Sequence, residues 1–259
     1  RMTIRENRLR NVDFGISSGA SHALIAGNLV ENFSGDGLRG LGDYSVFEGN
    51  TVKNCYDVND NHDDGFQSWS RTERGVGTGE VVGVVLRGNT IINYEDVNQP
   101  HRGTLQGIGC FDGMFVDWVI ENNVVIVDHY HGITLLGARG CRIVNNTVLD
   151  PNNVRPGPAA IRVESHKNGT ASSACVVRNN LVPHIDAQDV LDAVVDHNLI
   201  VERPEEYFMD AGRYNLSLKE SSPAIDAGTE TLAPSVDFAG RPRPQGQGVD
   251  VGAYEYTGK

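Results

Sequence analysis

Apolar and polar residues alternate along this chain in short bursts, and eight of the bursts carry an asparagine in the same setting: IRENRL (Asn7), IAGNLV (Asn28), FEGNTV (Asn50), LRGNTI (Asn89), IENNVV (Asn123), IVNNTV (Asn146), VRNNLV (Asn180) and VDHNLI (Asn198). Alternation at period two marks a half-buried strand. Successive asparagines lie 21, 22, 39, 34, 23, 34 and 18 residues apart. A repeat near 21 residues built of short strands is one coil of a solenoid, in which each strand pairs in parallel with its copy in the next coil. Stacked asparagines then bond to their copies above and below, which satisfies a buried amide. The pattern predicts an inward asparagine ladder on one corner of an all-β solenoid.

A second column follows the first: Gly15-Ile16, Gly37-Leu38, Gly65-Phe66, Gly107-Ile108, Gly132-Ile133 and Ala160-Ile161. The apolar member points into the coil, so the next residue points out, in the row Ser17, Arg39, Gln67, Gly109, Thr134, Arg162. The row at the bend into the strand is Phe14, Asp36, Asp64, Gln106, His131, Ala159. Glycine at that bend suits a positive φ or a close backbone approach. Two coils are long. The insertions SRTERGVGTGEVV (70–82) and NYEDVNQPHRGT (93–104) flank the strands of Gln67, Trp69 and Gln106 and predict the walls of a cleft. A Pro- and Asn-rich stretch, 151–158, leads into the strand of Arg162. Beyond residue 202 the pattern fades. Residues 1–202 read as coils, and 203–259 as a capping segment of the same domain that folds over the open end to blunt its strand edges. Residues 1–4 already fit a coil, which predicts a chain that starts inside the solenoid, without its first cap or a signal peptide.

Charge narrows the partners. The chain has 259 residues, a net charge of −12 and a pI near 5.0. Nucleic acid is excluded as a partner, because phosphate binding needs a basic surface. An anionic sugar polymer is repelled on average and needs a local basic cluster or a metal to bind. No apolar run approaches the roughly 20 residues of a membrane span. Cys141 and Cys175 each stand five residues before a ladder asparagine, which predicts stacking on adjacent coils as buried thiols. Cys55 and Cys110 read as core or turn positions.

The V-x-x-N-x-V coils, the G-I/L column and the tail SPAIDAG…GRPRP…DVGAYEY resemble right-handed parallel β-helix proteins of the pectate-lyase-like superfamily. The resemblance covers nearly the whole chain. It implies a right-handed parallel β-helix, a carbohydrate-active role and a secreted or periplasmic location. It also implies a site on one outer parallel sheet, in a groove along the stack. Fold alone does not fix the chemistry.

The densest polar run is Asn59-Asp60-Asn61-His62-Asp63-Asp64-Gly65-Phe66-Gln67-Ser68-Trp69. Later coils add His101, Arg102 and Gln106, then His129, Tyr130 and His131, then Arg162, Glu164, His166 and Lys167. In a β-helix these stretches stack at steps of about 4.8 Å. Each has a structural alternative: the aspartates as turn caps, Trp69 as packing, Arg162 with Glu164 as a surface ion pair. Asp64, Gln106 and His131 nevertheless share one column. β-Elimination of a uronic-acid polymer needs a neutraliser for the C6 carboxylate, a base for the C5 proton and an acid for the leaving oxygen. The candidates are Gln106, Arg102 or a Ca²⁺ on Asp60, Asp63 and Asp64 as neutraliser, His131 as base and Tyr130 as acid. The Gln/His/Tyr trio is similar to that of alginate lyases. Asp64, Gln67, Trp69, His101, Arg162 and Lys167 read as substrate-binding residues. Two alternatives share the patch. Two-carboxylate hydrolysis is suggested by HDDG, YHGITLLG and AIRVES, which look loosely like polygalacturonase signatures, with Glu164 where those have lysine. C5 epimerisation shares the proton abstraction. A non-catalytic carbohydrate-binding β-helix predicts instead a surface without perturbed titratable groups.

Overall fold

The computed structural model describes residues 2–152 and 154–258. Three parallel sheets run the length of a solenoid, with eight, eight and seven strands. The first runs from Thr3–Arg5 to Val194–Asp196, the second from Arg8–Val12 to Leu199–Ile200, and the third from Ile16–Ser18 to His184–Asp186. Each strand pairs in register with its copy one coil away; Ile25, for instance, stands opposite Phe47, and Leu86 opposite Ile120. The inward residues of all three sheets form one continuous core, with Phe47, Phe66, Ile108, Ile120, Val125 and Ile133 at most 1% exposed.

The asparagine ladder lies at the corner between the first two sheets and runs unbroken from Asn7 to Asn198. Each side-chain Nδ2 donates to the Oδ1 of the next asparagine at 2.9–3.0 Å. The same Oδ1 also accepts the preceding asparagine's backbone N–H. The residue before each rung is left-handed: Glu6, Gly27, Gly49, Gly88, Asn122, Asn145, Asn179 and His197 have φ between 51° and 62°. Glycine and asparagine tolerate that conformation best, which explains the G-N and N-N pairs of the repeat.

The glycine column serves close approach rather than a positive φ. A Cβ on Gly107 would sit 2.1 Å from the carbonyl oxygen of Gly132 in the next coil. All four cysteines are buried free thiols. Cys141 and Cys175 stack as expected, the Cys141 carbonyl accepting the N–H of Val176 at 2.9 Å.

The C-terminal segment departs from its expected place. It packs against the outside of the second sheet, not over the end of the solenoid. Phe208, Leu216, Leu218 and Val251 form a second core with Ile92, Val124, Ile126, Leu149 and Leu181. The cause is visible strand by strand. Arg8–Val12 alternates exposed and half-buried residues, whereas Val124–Ile126 and Thr147–Leu149 are buried throughout. From the fourth coil onward the outward positions of this sheet are apolar and need a cover. A buried ion pair clamps the cover in place: Arg243 reaches Glu255 at 2.5 Å and donates to Asn122 Oδ1 at 3.0 Å and Gly252 O at 2.9 Å. The last coil stays open. Val195, an inward position, is 44% exposed, and Leu191 is 59% exposed. Among the described residues no helix is long and apolar enough to cross a membrane.

Candidate functional site

The third sheet carries the site. Its outward row pairs as expected, with Ser17 opposite Arg39, Arg39 opposite Gln67, Gln67 opposite Gly109, Gly109 opposite Thr134 and Thr134 opposite Arg162. Gln106 stands opposite Asp64 in the row before the glycine. The two insertions leave from opposite ends of the parallel strands. Residues 70–80 follow Asp64–Trp69 and include a hairpin of Arg71–Thr72 with Gly75–Val76, while residues 93–105 precede Gln106–Asp112.

Asp64 is the anchor of the site. It is fully buried. Its Oδ2 accepts from Gln67 Nε2 at 2.7 Å and from His62 Nδ1 at 3.1 Å. Its Oδ1 has no partner and lies over Gly109, where a Cβ would be 2.1 Å away. The gap in the outward row is therefore the space this carboxyl occupies. Burial pushes Asp64 up to about 7, against the pull of the His62 hydrogen bond. One coil back, burial also raises Asp36, which is ion-paired to Arg39. Arg39 is stacked between Phe14, at 4.1 Å, and Trp69, at 5.5 Å. Trp69 thus sits at the edge of the groove, engaged with a cation.

Two histidines face one cavity of about 350 Å³, lined by His62, Gln67, Phe111, Asp112, His131, Leu136 and Lys167. Phe111 separates them, its ring 5.8 Å from that of His62 and 4.7 Å from that of His131. Their environments act in opposite directions. The hydrogen bond from His62 to Asp64 raises the His62 pKa. His131 is pushed down to about 3, first by burial, then by His129 and Arg162. His131 Nδ1 pairs with Thr134 Oγ1 at 2.9 Å. Tyr130 is 41% exposed and covers His131, with ring centres 4.2 Å apart. Lys167 reaches both carboxylate oxygens of Asp112, at 3.0 and 3.1 Å.

Other expected site residues are placed differently. Gln106 does not face His131; its Nε2 lies 2.5 Å from His62 Nε2, while its Oε1 is buried without a partner. Turning the amide would pair Oε1 with a protonated His62, because amide orientation follows the network around it. Arg162 is held by Glu164 and lies 3.8 Å from Asp186, with its guanidinium 5.0 Å over the Tyr130 ring. Arg102 and His101 lie off this sheet, in the second insertion. Arg102 donates to Val97 O at 2.8 Å and stacks on Tyr94 at 4.7 Å; His101 lies 6.1 Å from Tyr56. The insertion turns back on its own strand, and neither residue lines the cavity of His131.

The three carboxylates proposed for Ca²⁺ diverge. Asp60 is exposed, Asp63 turns inward to accept from Cys55 Sγ at 3.2 Å, and Asp64 faces the groove. Among the described residues no group of three His, Cys, Asp or Glu side chains is arranged to hold a metal ion. Burial raises Asp63 to about 6.

The sequence pattern assigns no individual role to His62 or Phe111. For His62 the available signal was its place two residues before Asp64, within reach of the same column. Nothing local marks Phe111.

The family-model comparison agrees with this architecture. A family model described as "Right handed beta helix region" matches residues 1–182. A solved structure of pectate lyase Pel9A is similar at 17% identity, with a TM-score of 0.48, over 94% of this chain and 69% of that one. QnrB1, a plasmid-mediated fluoroquinolone resistance protein, is similar at 9% identity and a TM-score of 0.20, over 75% of this chain and 93% of that one. No curated protein sequence matches.

Proposed function

The chain belongs to the right-handed β-helix family, and from that premise we propose that it is a lyase cleaving a uronic-acid-containing polysaccharide by β-elimination. One observation carries the reading: two histidines line one cavity, and their surroundings drive their protonation apart. A pair of titratable groups separated in this way supplies an acid and a base at the same pH.

His131, neutral over the working range, takes the C5 proton on Nε2, while Thr134 fixes the ring through Nδ1. The C5–H electron pair becomes the C4–C5 double bond, and the C4–O bond breaks. His62, held on Asp64 through Nδ1, exchanges its Nε2 contact with Gln106 for the leaving oxygen and delivers the Nε2 proton to it. It takes the role that the sequence suggested for Tyr130, which instead shields His131. Lys167 and Gln67 line the same cavity and neutralise and orient the sugar carboxylate. Burial, the main cause of the low His131 pKa, remains when the sugar binds; a bound uronate offsets only the smaller contributions of Arg162, His62 and Lys167.

Two-carboxylate hydrolysis is less well supported, because Asp63 accepts from Cys55 and lines the neighbouring cavity, not the one that His131 faces. A binding-only β-helix would lack strongly perturbed groups, and this cavity has them. A polymeric substrate is met outside the cytoplasm, so the reading carries a secreted or periplasmic location with it.

The test is incubation with a panel of polyuronates while following the ultraviolet absorbance of the unsaturated uronyl end, which elimination creates and hydrolysis does not. His131→Ala is expected to lower turnover by about 10²-fold or more, the usual worth of a positioned base. The rate should fall as pH rises through the raised pKa of His62, and His62→Gln should remove that limb. Saturated products, or full turnover in His131→Ala, overturn the reading.

A further inference from the structure

The cavity of the two histidines is the first of a connected series. It shares His62 with a second cavity of about 250 Å³, lined by Asp57, Asn61, Asp63, Thr104, Gln106 and His129. That cavity shares Thr104 with a third of about 400 Å³, which Arg102 and Arg155 line between the second insertion and the 151–158 loop. The series leaves the sheet at the N-terminal ends of its strands and crosses the coil; it does not follow the stack.

Charge changes sign along this path. In the first cavity Lys167 and His62 stand with one carboxylate, Asp112, which Lys167 pairs with; under the lyase reading His62 carries a proton and the balance is cationic. The second holds the carboxyls of Asp57 and Asp63, has no Lys or Arg in its lining, and shares with the first only His62 as a cation, so its balance is acidic. The third is cationic again. Neither Arg102 nor Arg155 has an ion-pair partner among the described residues, although twelve other arginines do; Arg71, Arg74 and Arg142 are unpaired too but line none of these three cavities. In a chain of net charge −12, two unpaired arginines on one cavity are a local exception. Arg102 spends one N–H on Val97 O, and its stacking on Tyr94 fixes the plane of the remaining donors. The carboxylate nearby, Asp128, is buried and already accepts from Asn93, Asn152 and the Leu105 N–H. The walls are built as well: Asn152 ties the 151–158 loop to the Tyr94 hydroxyl, and the tail's Tyr214 hydroxyl bonds the Tyr94 carbonyl.

We propose that the substrate is an acidic heteropolysaccharide in which neutral sugars separate the charged ones, with one charged residue at the histidine cavity and the next held by Arg102 and Arg155. This rests on the lyase reading and narrows its polymer. A neutral sugar suits the middle cavity, where Asn61, Thr104 and Gln106 offer polar partners for hydroxyls. A homopolymer of uronates would bring a carboxylate against Asp57 and Asp63, where like charges repel.

The experiment uses the whole chain with hyaluronan and gellan, whose uronates are spaced by uncharged sugars, beside polygalacturonate and alginate. Binding is read by affinity electrophoresis and cleavage by unsaturated ends. The spaced polymers are expected to bind at least about tenfold more tightly. Arg102→Ala with Arg155→Ala should weaken binding of the long spaced polymers by about tenfold per arginine, as expected for a charge-assisted contact. It should also abolish the fall in KM that accompanies a longer chain, and flatten the salt dependence of binding. Both arginines are exposed loop residues, so folding of the double variant is checked by its unchanged circular dichroism. Tighter binding of polygalacturonate or alginate, or an unaltered length dependence in the double variant, overturns the proposal and leaves the lyase reading standing. Binding of the spaced polymers with no unsaturated product from any of the four sinks the lyase reading and supports the charge spacing.

Discussion

Removing one rung from the middle of the ladder should cost far more than removing one from its end. Asn123 is fully buried. Its Oδ1 accepts from Asn89 N at 3.0 Å and Asn89 Nδ2 at 2.9 Å. Its Nδ2 donates to Leu86 O at 2.9 Å and Asn146 Oδ1 at 3.0 Å. In Asn123→Ala the Asn89 N–H and the Leu86 carbonyl lose a partner and the Asn89 amide keeps only its bond to Phe47 O, while Asn146 Oδ1 keeps the backbone N–H of residue 123 at 2.9 Å. Each orphaned buried group costs about 1–3 kcal/mol. Allowing for relaxation, the expected loss is about 3–6 kcal/mol. Asn7 is exposed, receives no bond from an earlier rung among the described residues, and gives up only its bonds to Arg5 O and Asn28 Oδ1. Asn7→Ala should cost about 0.5–1.5 kcal/mol, the net worth of an ordinary hydrogen bond. The double variant Asn89→Ala with Asn123→Ala should cost less than its two parts together, because each change deletes groups that the other strands. The assay is urea unfolding followed by far-ultraviolet circular dichroism, comparing midpoints only where the slope is unchanged. Equal losses at Asn7 and Asn123, or strict additivity at 89 and 123, would refute the view that the ladder is a chain of mutually satisfied amides.

Three further outcomes follow from the geometry. Gly109→Ala sets a Cβ 2.1 Å from Asp64 Oδ1 and 2.6 Å from the Phe111 ring; it should cost about 1–3 kcal/mol in thermal unfolding and displace Asp64 from His62, so that the alkaline limb of the activity profile moves to lower pH. Asp64 is raised from 3.8 to about 7 in the folded chain, so its neutral form stabilises the fold fully below pH 3.8 and that stability is lost as pH rises through about 7. The raised pKa of His62 acts in the same direction. Asp64→Asn should therefore gain stability relative to the parent between pH 4 and pH 8, and urea midpoints showing a growing deficit instead would contradict the assignment. Arg243→Ala leaves Glu255 buried without its cation; a loss of about 3–5 kcal/mol is expected, with early proteolytic release of the C-terminal segment, and a protease-resistant tail would count against the clamp.

Much of the fold was legible because the repeat is self-referential. A strand that must pair with its own copy fixes its register by spacing, so the asparagine ladder, the glycine column and the outward row all follow from counting residues. The tail was misplaced for a reason that also lay in the sequence. Thr90-Ile91-Ile92, Val124-Val125-Ile126 and Thr147-Val148-Leu149 are runs without alternation, and a strand apolar on both sides needs a cover on the side facing away from the core. The site was legible as a region and as a column of residues. Asp64, Gln106 and His131 stand in the predicted row. The errors fell where the backbone leaves the repeat. The insertion at 93–104 folds back on Tyr94 and removes Arg102 from the groove, and the bend before Asp64 turns Asp63 toward Cys55 and disperses the expected calcium ligands.

The sequence by itself determined which residues face inward, which face outward and which share a row, because a period of two and a coil near 21 residues leave no other arrangement. What it could not determine is the protonation of the groups in that row. His62 and His131 are chemically identical side chains. One gains a buried carboxylate across 3.1 Å, and the other is desolvated among His129, Arg162 and Phe111. Desolvation and Coulomb energy depend on distance and burial in three dimensions, so only the tertiary structure decided which histidine is fitted to hold a proton and which to take one.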